Sequence, residues 1–286
     1  MKFDLVKEFN GHSGCKVLLC RDADKFFVRK LSGSLTYNKR LRKQFIKQKK
    51  FTLPFVKTPE IYNYGYSAKN ELFFFDMEFV RGKALSDTIG ILTATQIEAF
   101  IDLLFNSLQI KKSNVNKEAN FIFQNKITRL SRIAGNKNRL IKQALNKLKR
   151  FDFSNIDQSD CCGDLTLENI LISDDNKIYL IDLLDSFYNS WMIDVAKLLQ
   201  DLDLHWSYRH CPPDINVNLK LLISKNILIQ KILKLENGNT VLLQIYYILL
   251  LNVLRIAPYA KDKNTHAFIE KSIDKIISTI NTMEQK

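Results

Sequence analysis

Cys161-Cys162-Gly163-Asp164-Leu165-Thr166-Leu167-Glu168-Asn169-Ile170-Leu171-Ile172-Ser173-Asp174-Asp175-Asn176-Lys177-Ile178-Tyr179-Leu180-Ile181-Asp182 is the stretch on which the reading of this chain turns. Two short apolar runs, Ile170-Leu171-Ile172 and Ile178-Tyr179-Leu180-Ile181, flank the polar turn Asp174-Asp175-Asn176-Lys177. Apolar β-branched runs around such a turn predict a β-hairpin. The hairpin would bring Asn169, which precedes its first strand, beside Asp182, which follows its second. Asp164 stands five positions before Asn169, and Asp182 thirteen positions after it.

An amide oxygen and a carboxylate are hard ligands suited to magnesium, and two of them leave the ion positions for water and phosphate oxygens. A further carboxylate nearby can accept the proton of a hydroxyl nucleophile. Those are the parts that phosphoryl transfer requires. An Asp-x-x-x-x-Asn pair by itself often does no more than cap turns; the argument rests on the whole constellation.

That constellation resembles the catalytic core of the protein-kinase-like superfamily, in particular its aminoglycoside phosphotransferase and choline kinase branch. The resemblance implies an α+β, bilobal protein-kinase-like fold: a small N-lobe antiparallel sheet with one helix over residues 1–80, and a larger, mostly helical C-lobe over 81–286. It implies ATP and Mg2+ as cofactors, Asp164 as the catalytic proton acceptor, and Asn169 and Asp182 as the metal ligands.

Further segments extend the likeness. Phe74-Phe75-Asp76-Met77-Glu78-Phe79-Val80-Arg81-Gly82 resembles the strand and hinge between the lobes, where the Glu78 carbonyl and Val80 amide would face adenine. Upstream, Gly11-His12-Ser13-Gly14 leads into the strand-like Lys16-Val17-Leu18-Leu19-Cys20. Gly11, Ser13 and Gly14 are the candidate phosphate-covering loop. Phe26-Phe27-Val28-Arg29-Lys30 follows, and Lys30 is the candidate nucleotide lysine, expected to point toward Asp182.

The chain departs from the family pattern in two places. Cys162 stands where the family has a histidine, so the catalytic loop must be held differently. No acidic residue lies between Leu31 and Pro59, where a helix glutamate should pair with the lysine; Gln44 or Gln48 is the expected substitute. Protein kinases follow the metal-binding Asp with a long activation segment. Here Leu183 to Ile193 is a short link to Asp194-Val195-Ala196-Lys197-Leu198-Leu199-Gln200-Asp201, which resembles the Asp-x-Ala helix start of small-molecule kinases. The expected function is therefore ATP-dependent phosphorylation of a hydroxyl on a small molecule: a sugar, an amino alcohol, an aminoglycoside or a surface-polysaccharide precursor. A protein kinase and a nucleotide-binding pseudokinase acting as an interaction module are the alternatives. By the family's architecture, the stretches Asp201–Cys211 and Arg255–Tyr259 would flank the acceptor.

Composition sets the remaining bounds. A chain of 286 residues, 46% of them hydrophobic, can bury a large core. Five cysteines without Cys-x-x-Cys spacing indicate a reducing, cytoplasmic setting. Met1 to Asn10 contains Asp4 and Glu8 and does not read as a signal peptide. Val241 to Ile256, interrupted by Gln244, Asn252 and Arg255, reads as a buried helix. Tyr37–Phe51, Thr95–Gln109, Asn120–Arg150 with a break at Gly135-Asn136, and a terminal helix with Phe268, Ile269, Ile273, Ile276, Ile277 and Ile280 on one face read as further helices.

The formal charge is +13. Lys25 to Lys57 carries eleven basic residues and no acid, and Lys111 to Arg150 twelve against Glu118 alone, so the rest of the chain is acidic. Such surfaces suit an anionic acceptor or peripheral contact with an anionic membrane; a merely solvated basic face fits equally. No nucleic-acid motif accompanies the charge, so nucleic acid is not an expected partner.

Overall fold

The computed structural model describes residues 3–9, 14–109, 112–134 and 138–285. In chain order its main elements are β1 (Asp4–Phe9), β2 (Cys15–Asp22), β3 (Lys25–Ser32), α1 (Leu35–Lys50), β4 (Ile61–Tyr66), β5 (Phe73–Glu78), β6 (Gly82–Ala84) and α2 (Leu85–Thr88). There follow α3 (Ala94–Gln109), β7 (Lys112–Val115), α4 (Ala119–Ala134), α5 (Arg139–Arg150), β8 (Asp157–Ser159), β9 (Ile170–Ser173) and β10 (Ile178–Leu180). The helices α6 (Trp191–Leu202), α7 (Ile215–Leu233), α8 (Gly238–Leu254) and α9 (Lys263–Glu284) complete the chain. The class is α+β, with an antiparallel sheet in the N-terminal part and a helical C-terminal part. The expected break at Gly135-Asn136 lies outside the described residues.

Two compact units form. One takes Met1–Lys83 together with Asn169–Asp185; the other takes Ala84–Glu168 and Ser186–Lys286. In the first, five strands run in the order β1-β2-β3-β5-β4, and α1 covers one face. Phe73, Phe75 and Met77 alternate inward along β5, as the period-2 pattern of a strand requires, and meet Leu41 and Phe45 of α1. Ser34 begins α1 by accepting the Tyr37 N–H at 3.2 Å, and Lys47, Lys49 and Lys50 fill its last turn, where cations oppose the helix dipole. The β9–β10 hairpin forms as the sequence predicts, with Ile172 opposite Ile178 and Ile170 opposite Leu180. Asn176 takes the left-handed turn conformation at φ 59°. The hairpin joins this unit by exchanging backbone hydrogen bonds with Lys57 and by pairing β9 with β6. Gly82 passes so close to β9 that a Cβ there would lie 2.3 Å from the Ile172 carbonyl oxygen.

The second unit is built around α8, whose residues Ile245 to Leu254 are all buried. A helix that is apolar on every side belongs inside a core, not on a surface. Trp191 of α6, Phe123 of α4 and Phe153 are also fully buried, and the Phe123 and Phe153 rings stack with centroids 4.4 Å apart. No helix among the described residues is long and apolar enough to cross a membrane.

Candidate functional site

In the first unit, β3 lies antiparallel to β5 with Lys30 opposite Phe75, which sinks the Lys30 side chain to 5% exposure. Its ammonium donates to Asp182 Oδ1 at 2.7 Å. The expected approach of Lys30 to Asp182 is therefore present. The Lys30 ammonium holds the Asp182 carboxyl below the usual carboxylate range, against burial, which pushes the other way, and with a smaller contribution from Arg40. Asp182 adopts φ 55°, a left-handed conformation that a non-glycine residue takes at a cost of about 1–3 kcal/mol and that recurs at functional positions. The Ile181 N–H donates to the Asn169 carbonyl at 2.9 Å, so the hairpin ends hold Asn169 and Asp182 as neighbours.

The expected glutamine substitution is not made. Gln48 donates to the Pro59 carbonyl at 2.9 Å and lies 3.3 Å from Met77 Sδ, while neither polar atom of the buried Gln44 amide has a hydrogen-bond partner. The reason is positional: both glutamines lie on the buried face of α1, with Gln48 directed at the strand layer. The helix instead directs cations at the segment around Asp182. Lys43 pairs with Asp185 at 2.8 Å, and Lys47 donates to the Leu184 carbonyl at 2.6 Å.

Of the predicted nucleotide contacts, Gly11 and Ser13 lie outside the described residues. Gly14 packs on Tyr37, where a Cβ would meet the ring at 2.7 Å, and its carbonyl accepts the Gly33 N–H at 2.9 Å. Glu78 ends β5; its side chain accepts the Tyr179 hydroxyl at 3.2 Å, and its N–H donates to the Glu60 carbonyl at 2.8 Å. Val80 follows, half-buried.

In the second unit, α6 organises the loop that carries Asp164. Gly163 sits at φ 86°, a region open to glycine. The fully buried Asp194 carboxylate accepts the Cys162 and Gly163 N–H groups, both at 2.7 Å. Asp201, also fully buried, accepts the Leu167 and Ser207 N–H groups, both at 2.6 Å. Lys197 reaches Asp164 Oδ1 at 3.0 Å. Positions 194, 197 and 201 follow the i, i+3, i+7 spacing of one helix face. At Cys162 and Gly163 the loop backbone is therefore held by a buried carboxylate.

Burial pushes the Glu168 carboxyl above its usual range, the Arg209 guanidinium pulls it back, and Asp164 and Asp87 add repulsion. Arg209 stacks over the Trp206 ring at 4.0 Å. In the stretches expected to flank the acceptor, Asp201 is bound up in backbone hydrogen bonds, while Arg255 lies over the Phe187 ring at 5.1 Å and donates to Asn252 at 3.1 Å.

No protein-family model and no curated protein matches the chain. Solved structures do. A thermostable variant of aminoglycoside phosphotransferase APH(4)-Ia, in a ternary complex with AMP-PNP and hygromycin B, superposes with a TM-score of 0.61 at 12% identity, covering 97% of this chain and 94% of that one. Choline kinase LicA from Streptococcus pneumoniae gives 0.53 at 14% identity, over 97% and 94%. Plasmodium vivax ethanolamine kinase gives 0.55 at 14% identity, over 98% and 83%.

The fold is the one these solved phosphotransferase and kinase structures share.

Within this kinase-like fold, Asp194, Lys197 and Asp201 are the residues whose roles the sequence reading missed, although it singled out their segment. A signal existed. Trp191-Met192-Ile193-Asp194-Val195-Ala196-Lys197-Leu198-Leu199-Gln200-Asp201-Leu202 is apolar except at these positions and Gln200, and a charge inside such a run is rarely buried without a partner.

Proposed function

We propose that this chain is an ATP-dependent phosphotransferase that carries the γ-phosphate to a hydroxyl group of a small molecule. The observation that carries this reading is the Lys30–Asp182 ion pair at 2.7 Å beside Asn169. It sets a buried cation against a carboxylate at the end of the hairpin whose other end is Asn169, in a fold whose solved neighbours include a complex with AMP-PNP.

The donor set fits magnesium. Among the described residues no group of three or more His, Cys, Asp or Glu converges, and magnesium asks for none, since one or two protein oxygens plus phosphate and water complete its shell. Asp182 and Asn169 would hold it, and when bound it neutralises charge on the nucleotide phosphates. Lys30 would bind the phosphates as a point charge, and the backbone after β5, at Glu78 and Val80, would receive the base. Asp164 would take the acceptor hydroxyl proton as the new phosphorus–oxygen bond forms and the bond to the departing ADP breaks. Sugars, amino alcohols, aminoglycosides and surface-polysaccharide precursors are the acceptors proposed.

The test is ATP turnover against a panel of such compounds, with mass-spectrometric detection of the product. Asp182→Ala should abolish magnesium-dependent turnover, and Asn169→Ala should weaken it less. Asp164→Asn should lower kcat by about 10²–10⁴-fold while nucleotide binding survives. Undiminished turnover in the Asp182 and Asn169 variants would overturn the assignment.

One observation favours a second reading, a nucleotide-binding pseudokinase: α1 carries no carboxylate to offer Lys30. A parent that binds ATP, phosphorylates no acceptor, and is indistinguishable from Asp164→Asn would establish that reading.

A further inference from the structure

We propose that Lys197 is a positioning residue for Asp164, a clamp that holds one carboxylate oxygen and thereby aims the proton acceptor. The inference rests on the assignment of Asp164 above. Lys197 Nζ lies 3.0 Å from Asp164 Oδ1, with side-chain exposures of only 14% and 22%. The lysine rises from α6 between Asp194 and Asp201, whose carboxylates pin the loop backbone at Cys162, Gly163 and Leu167. One helix face thus fixes the loop through two anions and its central side chain through a cation.

Stability alone gives little reason for a lysine at this position. Ordering its long stem costs rotamer entropy, and a well-packed apolar side chain commonly replaces a buried ion pair without loss. The local field supplies a reason. Glu168, whose side chain is 44% exposed, adds a like charge near Asp164, and like charges tend to drive carboxylates apart. A cation 3.0 Å from Asp164 opposes that displacement. In a loose phosphoryl-transfer transition state there is little covalent chemistry to drive, and orientation carries most of the effect.

The experiment compares Lys197→Gln, Lys197→Arg, Asp164→Asn and the Lys197→Gln/Asp164→Asn double variant in steady-state kinetics, with nucleotide affinity by calorimetry and melting curves alongside. Lys197→Gln should lower kcat by about 10²-fold, the scale of a small misplacement of a reacting group. Acceptor KM and nucleotide affinity should stay unchanged, and Lys197→Arg should recover most of the loss. The double variant should be no slower than Asp164→Asn, because a residue that acts through Asp164 has nothing left to position.

A Lys197→Gln enzyme as fast as the parent, or a double variant whose losses multiply, overturns the proposal. If Lys197→Gln does not fold, Lys197→Met takes its place. Failure of both to fold makes the lysine a structural counter-ion and also overturns it. A parent without acceptor turnover, or an Asp164→Asn enzyme as fast as the parent, overturns the assignment of Asp164 itself, and this inference falls with it. The two failures are distinguishable.

Discussion

Asp194→Ala should be among the most damaging single substitutions in the chain. The Asp194 carboxylate is fully buried and accepts two backbone N–H groups at 2.7 Å each. Hydrogen bonds to a charged group contribute about 1.5–3 kcal/mol apiece, so loss of both removes about 3–6 kcal/mol and leaves two buried donors unsatisfied. Deleting the carboxylate also relieves its own desolvation cost, which favours the lower half of that range, about 3–4 kcal/mol. Against a total of about 5–15 kcal/mol, that is a large fraction of the fold's stability. Asp194→Asn keeps the shape but offers one acceptor and turns an NH₂ toward the other N–H, so about 1.5–3 kcal/mol should be lost. Urea denaturation checks both, as a fall in midpoint at constant slope. At a temperature where the variants remain folded, the loosened Gly163-Asp164 backbone should also lower turnover by about 10²-fold. An alanine variant within about 0.5 kcal/mol of the parent, the range of an ordinary surface change, would refute the claim that this carboxylate holds the loop.

Gly82→Ala should destabilise the first unit by about 1–3 kcal/mol, because the added Cβ would sit 2.3 Å from the Ile172 carbonyl oxygen, a backbone atom that cannot swing aside; a melting curve unchanged from the parent would exclude this close approach. Burial pushes the Asp201 carboxyl up to about 6, against two backbone hydrogen bonds that pull it down. A carboxyl raised on folding contributes stability that is full below its unfolded value and lost as pH rises through the folded one. The parent should therefore lose on the order of 2–3 kcal/mol between about pH 4 and pH 6 from this group, and Asp201→Asn should flatten that dependence in denaturation curves; an identical pH dependence in both proteins would count against it. Lys30→Met removes the cation that would meet the phosphates and should weaken magnesium-nucleotide binding by about 10–100-fold in titration calorimetry; unchanged affinity would remove Lys30 from the nucleotide contacts.

The hairpin from Ile170 to Leu180 and its flanking Asn169 and Asp182 were legible in the sequence because their information is local: β-branched runs, a polar turn and short spacings. The strand β3 that carries Lys30 was legible for the same reason, an apolar run after a polar turn that pairs with an equally plain β5. The helices α3, α8 and α9 could be read from apolar spacing over many residues. By contrast β1, a strand exposed along nearly its whole length, leaves no alternation to read. It exists because β2 offers an edge to pair with. The short β7 and β8 escaped notice because they pair across a long stretch of sequence, Lys112 with Ser159.

What only the tertiary structure decided was which partners the buried polar groups find. Hydrogen bonds such as those from Cys162 and Gly163 to Asp194 join residues 32 and 31 positions apart. Local patterns cannot report which backbone donors a distant carboxylate will face. The direction of Gln48 toward Pro59 likewise follows from how α1 packs on the strand layer. Sequence determines which groups are available and how each short segment folds; packing determines which buried charge meets which partner, because a charge removed from water must settle on whatever opposite charge or donor the fold brings within reach.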